Sequence, residues 1–139
     1  MRKVLGTLLI LTAVTTIAYW VNYFTGGDVR VVDARWYSAF EGAFPVSDGW
    51  MALTSLLAGI GLWSGRAKFA QWGARFGLLA GSALLFLAGM DITFNIENGL
   101  YAQLAASDPM KFELVINVWT LVLGVVTIFA CWKDAARMV

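Results

Sequence analysis

The sequence predicts an all-α integral membrane protein, a bundle of four transmembrane helices with both termini in the cytoplasm and a short amphipathic helix outside. Three observations carry that class. Hydrophobic residues fill 60% of the 139 positions and charged residues 14%, with a mean hydropathy of +0.72, whereas soluble domains carry about 25% charged residues. Four apolar stretches are long enough to cross about 30 Å of hydrocarbon at about 1.5 Å per residue. Basic residues also collect in alternate connections, as expected of a chain that crosses a membrane repeatedly. The apolar runs are continuous rather than alternating, which selects helices over barrel strands.

The first span runs from Val4 to about Phe24, behind Arg2 and Lys3. Ala18-Tyr19-Trp20-Val21 lacks the small-x-small pattern of a cleaved signal, so the segment reads as a retained helix. The connection from Thr25 to Pro45 opens with Gly26-Gly27-Asp28, a turn whose aspartate can cap a helix. Val29, Val32, Trp36, Phe40 and Phe44 then recur at helical spacing, with Arg30, Asp33 and Glu41 off the stripe. This pattern predicts a short helix lying on the outer membrane surface, although the alternation in Val29-Arg30-Val31 also permits a strand.

The second span is placed at about 46–63, with Asp48 as its expected N-cap. A short basic turn leads to the third, at about 70–98. Gly73, Gly77 and Gly81 form two overlapping GxxxG spacings there, a seam for close helix packing inside the bundle or, alternatively, a homodimer contact. Asn98-Gly99 is a helix end, with Gly99 in the left-handed conformation. Asp108-Pro109, an expected cap followed by a first-turn proline, starts the fourth span at about 109–132. No repeat or linker divides the chain, so residues 1–139 are read as one domain.

Arg2, Lys3, Arg66, Lys68, Arg75, Lys133 and Arg137 are seven of the ten basic residues, and all fall on the side of the termini. That side is therefore expected to face the cytoplasm of a plasma-membrane protein. Histidine is absent and Cys131 is alone, which removes His-ligated haem, Ser–His or Cys–His nucleophiles and intrachain disulfides. The acidic spacing matches no calcium loop, and no phosphate-binding or dinucleotide loop is present. Neither a metal nor a cofactor is expected, and a net charge of +1 gives no reason to expect nucleic acid.

Eight of the nine acidic residues fall on the outer side; the exception is Asp134. Asp91 lies within the third span, where an ionisable side chain is costly and should face the bundle interior. Arg75, on the same helix, is about 24 Å away at helical rise and cannot neutralise it. Asp91, Asn95 and Asn98 share one helical face, as do Glu113 and Asn117 on the fourth span. Converging faces would build an outward-open chamber lined by Glu41 or Asp48, Asp91, Asn95 and Asn117, with Arg35 or Lys111 as lid or counter-ion. Capping by Asp48 and interhelical bonding by Asn117 are the plainer readings of those two residues.

The expected function is binding of a small-molecule or lipid-like ligand at a site centred on Asp91. One alternative is transport of a cation or small solute by a homo-oligomer. The other is an isomerase-type, lipid-modifying enzyme using a carboxylate pair, for which the catalytic residues are unassigned. The expected surroundings are the lipid bilayer and that ligand.

Overall fold

The computed structural model describes residues 2–26, 32, 34–64 and 66–136, which among themselves contain helices and no strand. In chain order these are α1 (Arg2–Phe24), α2 (Arg35–Glu41), α3 (Pro45–Trp63), α4 (Ala67–Glu97), a 3-10 turn (Leu100–Gln103) and α5 (Asp108–Ala136). Three of them, α1, α4 and α5, are long and apolar enough to cross a membrane. The ends of α4 and α5 lie within a few residues of the sequence reading.

The long helices pack in chain order, α1 on α3, α3 on α4 and α4 on α5. Pairings at both ends set their directions. Near its start α1 meets the end of α3, where the Trp63 indole donates to Thr7 Oγ1 at 2.9 Å. At the other end Trp20 reaches Asp48, at the start of α3. Between α5 and α1, Trp119 donates to Thr12 Oγ1 at 3.2 Å, and Arg2 pairs with Asp134 at 2.7 Å. The first and last helices thus meet, and both begin or finish at the same end of the molecule.

Small residues make this packing close. A Cβ at Gly73 would lie 2.6 Å from the Leu62 nitrogen and 2.7 Å from the Gly61 carbonyl carbon, so α3 and α4 touch backbone to backbone there. A Cβ at Gly77 would instead strike Cys131, and one at Gly81 would strike Ile128 and the Gly124 carbonyl. The glycine stripe therefore serves two neighbours within one chain. Four residues exceed one 3.6-residue turn, so successive glycines rotate by about 40° around α4, from α3 towards α5.

Buried leucines and alanines such as Leu9, Ala58, Ala74 and Leu84 fill the interior. Phe24, Phe86, Phe129 and Trp132 are exposed. Large apolar side chains outside and small ones at the helix contacts are what hydrocarbon surroundings allow.

Three local expectations are corrected. The short helix of the first connection starts only at Arg35; Gly27, Asp28, Val29, Arg30, Val31 and Asp33 lie outside the described residues, as does Arg137. Its buried side chains are Tyr37 and Glu41, while Trp36 is exposed. Tyr37 packs with Leu100 and Met110 over the ends of the long helices away from the termini, and Phe40 lies flat on Phe94, with ring centroids 3.5 Å apart. Tyr37 and Glu41 take this face because a carboxyl cluster lies beneath it and rewards polar-tipped side chains.

Asp48 caps nothing. Pro45 opens α3, leaving Asp48 inside the first turn, where its carboxylate accepts from Trp20. Asp108 is itself helical and pairs with Lys111 at 2.7 Å, while the hydroxyl of Ser107 accepts from the Met110 N–H. Gly99 does adopt the left-handed conformation, with φ of 65°, and Asn98 bonds back to the Phe94 carbonyl.

Candidate functional site

At the end away from the termini, α1 to α5 each contribute a polar side chain to one cluster. On α4, Asp91 and Asn95 are one turn apart and face α5, where Glu113 and Asn117 have the same spacing. Antiparallel packing brings the two pairs into register. Asn117 Nδ2 donates to Asp91 Oδ2 at 2.6 Å, and Asn95 Nδ2 donates to Glu113 Oε1. Asp91 and Glu113 are adjacent carboxyl groups, close enough to interact electrostatically.

Two tyrosines donate into the cluster. Tyr37 of α2 donates to Glu113 Oε2 at 2.9 Å, and Tyr19 of α1 donates to Glu41 Oε1 at 3.3 Å. Asp48 accepts from the Trp20 indole at 2.8 Å and is near enough to Asp91 to interact with it electrostatically. Glu113 interacts in the same way with Glu41. Four carboxyl groups thus share one region. No ion pair among the described residues involves Asp48, Asp91 or Glu113.

Asn95 is fully buried, at 0% exposure. Its Nδ2 is spent on Glu113, and its Oδ1 has no hydrogen-bond partner. A buried acceptor left unmatched costs about 1–3 kcal/mol, so this atom has a standing preference for an N–H or O–H donor. Among the described residues no group of three or more His, Cys, Asp or Glu side chains is arranged to hold a metal ion.

The cluster brings Asp91, Asn95 and Asn117 together and gathers Glu41 and Asp48 beside them. Neither expected counter-ion is there. Lys111 is committed to exposed Asp108, and Arg35 makes no ion pair among the described residues. Glu113, the partner of Asp91, was not in the expected lining although it shares a helical face with Asn117. Tyr19, Trp20 and Tyr37 were expected only as aromatics able to roof the chamber, with core packing as their default.

Tyr37 lies outside the spans, and its titration can be followed. Burial pushes its phenol far above the ordinary tyrosine value, and the adjacent Glu113 carboxylate adds to the shift. Above about pH 10 the unfolded chain therefore releases a proton that the folded chain keeps, and stability falls as pH rises. Unfolding measured between pH 9 and 11 is expected to show this loss, approaching about 1.4 kcal/mol per pH unit. Tyr37→Phe should make it shallower; an unchanged slope would mean that Tyr37 ionises freely in the folded protein.

Comparison of the chain with protein-family models, with curated proteins and with solved structures gives no match.

Proposed function

We propose that this chain crosses the cell membrane four times, with both termini in the cytoplasm, and binds a small molecule bearing a protonated amine at the Asp91–Glu113 pair from the outer side. The 19 residues of α3 give it a length of about 28 Å, close to the thickness of the hydrocarbon core. Lys3 and Arg75 lie over the rings of Trp63 and Trp72 at the end shared by the termini, an arrangement suited to the basic, aromatic inner boundary of a membrane.

The observation that carries the binding proposal is the grouping of Asp48, Asp91 and Glu113, none of them in an ion pair among the described residues, with the free acceptor of fully buried Asn95 beside them. An incoming ammonium group would donate to Asp91 and Glu113 and, with its remaining N–H, to Asn95 Oδ1.

Three hydroxyls nearer the termini favour a closed-ended site over a transport path. Thr7, Thr12 and Ser82 donate to carbonyls one turn back on their own helices.

The test uses n-butylamine with n-butanol as the uncharged control, on purified protein in detergent. Butylamine should raise the unfolding midpoint, the stabilisation reaching about 2.7 kcal/mol at a hundred times its dissociation constant. Asp91→Asn combined with Glu113→Gln should abolish the effect. Equal responses to amine and alcohol, or a response that survives the double substitution, would refute the proposal.

A further inference from the structure

A groove of about 410 Å³ runs along the outside of α1 and α3 at the same end as the carboxyl cluster. Its walls include Ile17, Trp20, Val21 and Phe24 of α1 and Pro45 and Gly49 of α3. The accessible surface of these walls is almost wholly apolar, and the volume lies within the range of about 300–1,000 Å³ typical of small-molecule sites.

Trp20 joins the groove to the cluster. Its ring forms part of the apolar wall, while its indole nitrogen donates to Asp48 Oδ2. Gly49, next to Asp48, leaves open space where a side chain would stand. An apolar trough thus ends beside a carboxylate that has no ion pair among the described residues. This combination matches an amphiphile with an alkyl tail and a cationic head. An alcohol or fatty acid of equal length would fill the trough, but the first would leave the carboxyl charge unanswered and the second would add to it.

We propose that the groove holds the alkyl tail of a long-chain primary amine whose ammonium head is taken up at Asp48 and passed to the Asp91–Glu113 pair. The inference rests on the amine-binding reading above and specifies its ligand as one that arrives laterally, from the outer leaflet. Trp20 is a positioning residue: it walls the tail and orients the Asp48 carboxylate towards the head.

The experiment uses dodecylamine with a diazirine on its tail, photolysed with the whole protein in lipid nanodiscs and mapped by peptide mass spectrometry. Labelling should concentrate on Ile17, Val21 and Phe24. An excess of unlabelled dodecylamine should reduce it about tenfold, whereas dodecanol at the same concentration should have little effect. Gly49→Leu fills the trough from a position with free space, so the fold should persist while labelling falls by a similar factor. Asp48→Asn should erase the preference for amine over alcohol.

Labelling spread evenly over lipid-facing positions such as Phe86 and Phe129 would mean ordinary lipid contact and overturn the groove assignment. Equal competition by dodecylamine and dodecanol in the native protein would overturn the role of Asp48. Butylamine separates this proposal from the preceding one. If it stabilises the protein while the tail labels elsewhere, the carboxyl site stands and the groove assignment falls; if it has no effect, the amine-binding reading fails and the groove proposal fails with it.

Discussion

Gly73→Ala is expected to be among the most destabilising single-methyl changes in this protein. The added carbon would lie within 2.9 Å of the Leu62 nitrogen and of the Gly61 carbonyl carbon and Cα. These are backbone atoms, and no rotamer change can move them. Relief requires α3 and α4 to separate along the contact, losing dispersion contacts that no hydrophobic gain replaces in a lipid surround. Overpacking of this kind costs about 1–3 kcal/mol and occasionally more. Gly89, on the same helix, is the internal control because nothing lies within 4 Å of its missing Cβ. Gly89→Ala should be neutral or stabilising by up to about 1 kcal/mol through helix propensity. Unfolding of both variants in detergent checks the contrast. Equal shifts would mean that α3 and α4 do not meet at the backbone.

Removing one member of the Asp91–Glu113 pair should cost more than removing both in proportion. Glu113 takes hydrogen bonds from Tyr37 and Asn95 and lies beside Asp91. Glu113→Leu leaves both donors without their acceptor in a buried site, at a cost of about 1–3 kcal/mol for each. Glu113→Gln retains the shape and an acceptor oxygen, so its cost should be well below that of leucine. In Asp91→Leu/Glu113→Leu the two apolar side chains can pack together. The double variant should therefore be less destabilised than the sum of the single ones, with a coupling of about 0.5–3 kcal/mol. Strict additivity would show that the two carboxyl groups do not interact.

The two predictions concern features of unequal visibility in the sequence. The glycine spacing on α4 was plain, since small residues four apart in an apolar helix mark a close contact. Which helix each glycine meets was not, because rotation about the helix axis is set by the packed neighbours. Asp91 stood out as a carboxyl group that topology does not require. Its partner was harder to identify, because Glu113 lies at the start of another helix, where an acidic residue is also explained by the helix dipole. Asp48 was misread for the same reason: a carboxyl group near a helix start resembles a cap until the indole of another helix is found beside it.

Local composition and periodicity determined the apolar helical segments, the left-handed turn at Gly99 and the segregation of acidic from basic residues. Those properties depend on hydrogen bonding within one segment and on the solvation of single side chains. Only the tertiary structure decided that α2 turns Tyr37 and Glu41 inward, that Asp91 meets Glu113 and that Trp20 links an apolar groove to a carboxylate. Such contacts join residues up to 76 positions apart. They follow from the rotation and axial offset of whole helices, which are fixed jointly by every contact in the bundle and by no segment alone.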